Sequence, residues 1–492
     1  MRHDLIIYGG TVVDGSGSMR FAADVGIAGG LITAIGDLAR DNADTRIDAT
    51  GKIVAPGFID VHTHDDGALL VVDGMNPKIS QGVTTVVAGN CGISLAPLLL
   101  DRTPPPPLTL VGGRENFRFD RFADYVAELE RLGTATNAAL LVGHTTLRQR
   151  AMPTLDRAAN GEEIALMEKE VRAAMAEGAF GLSTGLDYAP AVASSTEEVK
   201  VLARAAADLG GIYVTHTRNY FDKLEDALEE AFDIAAEADT KLVISHHQAT
   251  GRENFGKSRP SLARIDQMRE TLDVTLDCYP YAASSTVLKL ERCDIGLRVL
   301  ITWSDPHPEM VNREISDIAS EWNCSEREAA RRLLPAGAVY FQLDESDVQQ
   351  ILAYPQTMIG SDGLPHDKHP HPRLWGTFPR VLGHYSRDLG LFPLEEAVFK
   401  MSGLPAREFG LSGRGTLAAG NFADIAIFDP NEVLDRATYE EPIRASAGIE
   451  HVLVNGQTVW SEGRSTGLRP GKVLRRATTS RSRPLRLSCG CC

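Results

Sequence analysis

Short alternating apolar runs broken by glycine open the chain: "DLIIYGGTVVDG", "ADVGIAGGLITAIG" and "TRIDATGKIVAPG". They predict strands joined by tight turns. The same character returns far away in "GNFADIAIFDP" and "GIEHVLVNGQTVWSEG". The two ends, 1–55 and 415–475, are therefore read as halves of one small β-sandwich domain. Over 56–414, β-branched apolar runs alternate with helical patterns such as "EEIALMEKEVRAAMAEG", "STEEVKVLARAAADLG" and "KLEDALEEAFDIAAEA". That alternation is the signature of βα units on a parallel sheet. Eight candidate strands can be counted: "PGFIDVH", "VTTVVAGNC", "AALLVGH", "AFGLSTG", "IYVTHT", "LVISHH", "DVTLDCYP" and "TMIGSD". Eight closes a TIM-like (β/α)8 barrel, so the expected class is α/β. The stretch at about 287–350, with an apolar loop and the helical "SEREAARRLL", intervenes between strands seven and eight and could lie over the C-terminal rim as a partial lid. The run "TPPPP" at 103–107 reads as a stiff loop, and 476–492 as a disordered basic tail.

Composition narrows the partners. With 492 residues and 43% hydrophobic positions the chain can bury a large core. A net charge of -16 argues against nucleic acid and anionic membranes, both of which call for a basic surface. Small molecules are the expected partners. The start, "MRHDLIIYGG", has no secretory pattern, and the best apolar window, "TTVVAGNCGISLAPLLL", is interrupted by Asn90, Cys91 and Pro97. Of seven cysteines, three crowd into the terminal "SCGCC". Without a disulfide framework, Cys91, Cys278, Cys293 and Cys324 are read as reduced and the protein as cytoplasmic.

Candidate chemistry then emerges at the strand tips. In "GFIDVHTHDD", His62 and His64 stand one residue apart, so on a strand they share a face and could hold one metal ion. Alone, such a pair is as readily a chance occurrence on a surface turn. The other tips change the balance: Cys91 on the second strand, His216 on the fifth, His246 on the sixth and Asp362 on the eighth are all metal-ligand types. A barrel gathers the C-terminal ends of its strands on one face, so these distant residues would converge. Taken singly, His144, His247 or His384 is more simply an ordinary hydrogen-bonded histidine. Imidazoles mixed with one thiolate and one carboxylate point to zinc, or another late first-row divalent ion. Zinc acts as a Lewis acid and makes water acidic enough to serve as a nucleophile near neutral pH, which suits hydrolysis of amides.

Read together, "GFIDVHTHDD", "GNCGIS", "FGLSTGLDYAP", "YVTHTRN", "ISHH", "DCYPYAASST", "PAGAVYF", "MIGSDGLPHD" and "HPRLWGTFPRVLGHYSRDLGLFPLEEAV" resemble the amidohydrolase superfamily, and within it the N-acyl-D-amino-acid deacylases or D-aminoacylases. The resemblance spans residues 1 to about 476. It implies a tight zinc site at Cys91, His216 and His246, and a weaker second one at His62, His64 and Asp362 with Cys91 shared. Asp362 is expected to take a proton from the attacking water and pass it to the leaving amine. In the superfamily at large a carboxylated lysine at the fourth strand often bridges two metals; here that strand ends "GLSTGLDY", without lysine.

By the same resemblance Arg373, Tyr188, Tyr279 and Ser285 anchor the substrate, whereas the residues alone would equally suit a surface ion pair and core packing. Many relatives carry lysine after "SHH", where this chain has Gln248. Asp294, Tyr340 and Leu343 fall where relatives line the side-chain pocket, with Arg292 and Arg298 nearby in sequence. The expected activity is zinc-dependent hydrolysis of N-acyl-D-amino acids, with neutral, apolar residues slightly ahead of D-glutamate or D-aspartate. Two rivals stand beside it. A cyclic-amide hydrolase of the hydantoinase kind would call for the fourth-strand lysine, and a catalytically dead scaffold would lack ligands. Oligomeric state leaves no mark in the sequence.

Overall fold

The computed structural model describes residues 2–293 and 296–476. Asp294 and the expected tail, apart from its first residue, lie outside the described residues.

Eight short strands carry the centre of the chain: Phe58–Asp60, Val83–Ala88, Asn137–Leu140 continued by Val142–Gly143, Gly181–Gly185, Ile212–His216, Leu242–Ile244, Val274–Cys278 and Thr357–Ile359. Each is buried on both faces, which is why they read as apolar runs instead of alternating ones. Every ladder between them is parallel, and each strand pairs with its sequence neighbour in the set. One face supplies a shared apolar cluster: Ile59, Val61, Val87, Ala139, Leu141, Ile212, Val214, Val243 and Met358 meet there, closed from below by Leu404 and Phe409. The other face packs helices. Gly161–Ala176 begins at Asn160, whose side chain accepts the amides of Glu162 and Glu163, and Thr196–Ala207 begins at Ser195, which accepts that of Glu198.

Among the described residues the ladders do not close on themselves. They form a three-stranded and a six-stranded sheet that part at Leu141. The second strand ends there: Ala88 O accepts Leu141 N, and Gly89 turns at φ +84° directly against the Leu141 carbonyl. At the other seam the first and eighth strands meet through a single parallel bridge, Thr63 to Gly363.

Both termini supply a second pair of sheets. Ile53–Pro56 runs antiparallel to Ile425–Phe428 inside a seven-stranded sheet that includes Ile449–Val454 and Gln457–Ser461. A four-stranded sheet built on Arg2–Tyr8 packs against it, and Leu5, Ile7, Val25 and Ile27 share one cluster with Ile425, Ile427 and Leu453.

The insertion differs from its expected form. Helix Glu326–Leu333 is present, but the apolar part is a three-stranded antiparallel sheet, Ser284–Val287, Ala336–Phe341 and Arg298–Ser304, with its own core around Val299, Ile301, Ile318 and Leu333. No helix of the described residues is long and apolar enough to cross a membrane.

Candidate metal centre and substrate cavity

The strand ends deliver the predicted ligand types to one place. Cys91 Sγ lies 3.2 Å from His62 Nε2, 3.5 Å from His246 Nε2 and 3.6 Å from His216 Nδ1. Asp362 Oδ1 lies 3.1 Å from His64 Nε2 and 3.6 Å from His62 Nε2. The densest grouping is His62, Cys91, His246 and Asp362, whose ligand atoms all fall within 4.8 Å of one another. This grouping cuts across the two expected sets, because Cys91 and Asp362 both face His62. Three of the six residues hold left-handed backbone, with φ of 53° at Cys91, 32° at His246 and 48° at Asp362. Non-glycine residues adopt that region at a cost, and it turns each side chain inward just where its strand gives out.

The donor set fits a metal ion. A tetrahedral centre with bonds of ordinary zinc–sulfur and zinc–nitrogen length would separate thiolate and imidazole by about 3.5 Å, close to the spacings of His246 and His216 from Cys91. The charges agree. Burial raises the Cys91 thiol, yet the positive charge of His62 and His246 outweighs this and brings it well below the usual thiol range. Burial would lower His62 and His64, but Asp277 and Cys91 raise the first, and Asp362 with Cys91 raises the second to about 9. For Asp362, burial is overcome by Arg373 and His64, which hold its carboxyl well below the usual range. The buried thiol and carboxyl are thus both drawn toward their charged forms by positive surroundings, the electrostatic setting that ligands of a divalent cation need.

Sequence reasoning missed Asp277. Its Oδ2 lies 3.2 Å from His62 Nδ1, and its Oδ1 accepts the His246 amide at 2.8 Å, so one buried carboxylate on the seventh strand orients two ligand positions. The only mark it left was a carboxylate near the strand end in "DVTLDCYP". At the end of the fourth strand a Cβ at Gly185 would stand 2.1 Å from the Cys91 carbonyl oxygen, so that strand tip packs directly against the Cys91 backbone.

Beside the cluster lies a small, partly open cavity of about 30 Å³ reached by Tyr188, His216, His246, Gln248, Tyr279, Ser285 and Asp362. Arg373 is fully buried, so its reading as a surface ion pair is wrong. Its Nη2 donates to Asp362 Oδ2 at 3.0 Å and to Ser285 O at 2.9 Å, while Nε and Nη1 have no protein partner. The guanidinium stands 4.6 Å from the Tyr279 ring centroid, and the Tyr279 hydroxyl donates to Gln248 Oε1 at 2.7 Å. The Tyr188 hydroxyl pairs with Thr286 Oγ1 at 3.1 Å and its ring lies against His216.

The expected side-chain pocket needs correction. Tyr340 does not line this cavity: its hydroxyl accepts the Lys289 amide and donates to Val287 O, and its ring lies under Arg292. Leu343 faces an adjoining recess beside Gln248 and Tyr279. Arg298 is on the surface with Glu314, because it starts an outer strand of the insertion. Arg292 does reach the cavity, together with Lys289, and Asp187 pairs with both.

Comparison with known proteins agrees with this architecture. The model of the Amidohydrolase family matches residues 45–314 and 316–460. A D-aminoacylase of Alcaligenes xylosoxydans xylosoxydans is 54% identical over 473 residues, covering 96% of this chain and 98% of its own. A solved D-aminoacylase, studied for its binuclear metal centre, one-metal activation and second-metal attenuation, superposes with a TM-score of 0.94 at 53% identity, covering 96% of this chain and 100% of that one. The N-acyl-D-glutamate deacylase of Bordetella bronchiseptica, complexed with zinc and a phosphonate mimic of the tetrahedral intermediate, gives 0.92 at 46% identity, covering 97% and 100%. The chain therefore belongs to the amidohydrolase family, in its D-aminoacylase branch.

Proposed function

We propose that the protein hydrolyses the amide bond of N-acyl-D-amino acids, releasing a carboxylate and the free D-amino acid, with zinc as its metal. The observation that carries this reading is the join of two features at Asp362: one oxygen faces the histidine cluster and the other faces a buried arginine with unpaired donors. On this reading the eight parallel strands form a (β/α)8 barrel over 56–414, with a β-sandwich domain from 1–55 and 415–475 and the insertion at about 287–350 over the rim.

Cys91, His216 and His246 would hold the tighter zinc, and His62, His64 and Asp362, sharing Cys91, a weaker one. Zinc, when bound, supplies Lewis acidity to the site. The chain's own groups do the rest. Arg373, whose Nε and Nη1 have no protein partner, would take the substrate α-carboxylate, with Tyr279, Tyr188 and Ser285 on the cavity wall beside it. Asp362, ionised through Arg373, is poised to accept the proton of the attacking water and return it to the leaving nitrogen.

Side-chain preference turns on Asp187, Lys289, Arg292 and Gln248. Asp187 neutralises one of the two cations, and Gln248 adds no charge, so the cavity carries a weak positive bias. That bias by itself favours D-glutamate or D-aspartate; the apolar surface of Leu343 in the adjoining recess is what keeps neutral, apolar D-amino acids slightly ahead in this reading. The absence of lysine from the fourth strand speaks against the cyclic-amide alternative, and the complete set of candidate ligands against an inactive scaffold. Cytoplasmic placement is a reading of the sequence. The test is a comparison of rates on N-acetyl-D-methionine, N-acetyl-D-glutamate, their L enantiomers and hydantoin, with zinc content measured on the same preparation. The D-methionine derivative should turn over fastest; faster turnover of hydantoin or of an L enantiomer would refute the reading.

A further inference from the structure

Lys78 is fully buried in the short helix Asn76–Ile79, beneath the tips of the first and eighth strands. Its Nζ donates to Asp60 Oδ2 at 2.8 Å and to Ser361 Oγ at 2.7 Å, with Asp65 Oδ2 at 3.4 Å. Asp60 stands two residues before His62, and Ser361 stands directly before Asp362. The knot is closed by further bonds: Asp60 Oδ1 accepts the amides of Ser361 at 2.8 Å and His62 at 3.3 Å, and Ser361 Oγ accepts that of Gly363 at 3.1 Å. It lies at the seam where strand pairing is thinnest. Beyond the bridge at Thr63, the backbone links there are Asp362 N to His62 O at 2.7 Å and His64 N to Gly363 O at 3.2 Å. A buried ammonium is costly even when paired, and an apolar residue of the same length would fill the space without that cost. Stability alone does not account for a lysine here.

We propose that Lys78 is a positioning residue, which ties Asp60 to Ser361 and thereby sets the Asp362 carboxylate at its distance from His62 and His64. The inference rests on the reading of Asp362 as ligand and proton carrier. Removal of Lys78 would free the eighth-strand tip to shift relative to the first, spreading exactly the pair of strands that no continuous ladder holds together. The tighter set of Cys91, His216 and His246 sits on other strands and would be unaffected.

Two variants test this on the zinc-loaded enzyme. Ser361→Ala removes the Lys78 bond to the eighth strand, along with the bonds of Ser361 Oγ to Gly363 N and His62 O, and leaves Lys78 paired with Asp60. Lys78→Met combined with Asp60→Asn removes both charges together and leaves the Ser361 bonds to Gly363 and His62 in place, so a loss common to both variants belongs to Lys78. Supporting groups behind metal ligands are typically worth about 10–100-fold in metal affinity or activity, so kcat on N-acetyl-D-methionine should fall by about that factor with KM changed less than about twofold. Cobalt titration, which needs no substrate, should show the second equivalent weakened and the first unchanged. Wild-type kcat and second-metal affinity in Ser361→Ala would overturn the proposal and leave Lys78 a merely structural residue, even if the double variant did not fold. Asp362→Asn, assayed alongside, separates the two readings: if that variant keeps normal turnover, the role of Asp362 itself has failed.

Discussion

Asp362 shows how much one residue can be asked to do. Its two oxygens are held 3.1 Å from His64 and 3.0 Å from Arg373, on a backbone turned to φ 48°. Asp362→Asn keeps the shape but cannot accept a proton, so kcat should fall by about 10²–10⁴. If Cys91, His216 and His246 hold the tighter zinc as proposed, it should stay, since those residues lie at the ends of other strands. Near-normal turnover would contradict the proton role, and loss of the tight zinc would make Asp362 a primary ligand. The six candidate ligands stood out in sequence because histidine, cysteine and aspartate at strand tips are chemically distinctive, and four of them, His62, Cys91, His246 and Asp362, fall within 4.8 Å of one another. Asp277 was not, since an aspartate near a strand end usually reads as a turn residue. Tyr340 misled for the opposite reason: whether a tyrosine faces a cavity or the core depends on strand register, which is set by partners far away in the chain.

At the scale of elements, the join between helices His144–Ala151 and Thr196–Ala207 is electrostatic. Glu198, fully buried, accepts two bonds from Arg148 Nη1 and one from His144 Nε2 at 2.8 Å. Burial opposes its charge, but His144 and Arg148 overcome this and lower its carboxyl to about 2. A carboxyl lowered on folding contributes stability above its unfolded pKa of about 4.3, and that contribution is lost as pH falls through the folded value. His144, lowered mainly by burial, acts in the same sense at higher pH. Breaking such a pair from one side costs about 3–5 kcal/mol, so Glu198→Gln should be less stable by that amount at pH 7. The gap from wild type, measured by denaturant unfolding, should narrow as pH drops below about 4.3; a constant gap would contradict the assignment. Helix His144–Ala151, in the mostly polar "HTTLRQRA", was not readable from apolar spacing, whereas Thr196–Ala207 was. The insertion was not: "RVLITWS" is too short for periodicity to assign, and its partner Ala336–Phe341 follows only after two helices.

Across the whole molecule, the chain spends its ends on one pair of sheets and its middle on the parallel set, an arrangement the alternation of patterns foretold. The breaks in that set were not foretold. They fall at Gly89 and at the seam beside Asp362, where close backbone contacts that no periodicity encodes replace regular pairing. Both lie next to ligand positions, so the irregular places in the fold are the chemical ones. The central claim is that a single zinc held by Cys91, His216 and His246 makes this chain a deacylase. It is tested most directly by stripping the protein with a chelator and following N-acetyl-D-methionine hydrolysis as zinc is returned. The account predicts no turnover in the stripped protein and activity rising in proportion to the first equivalent. Full turnover without metal, or none after zinc has been restored, would contradict it.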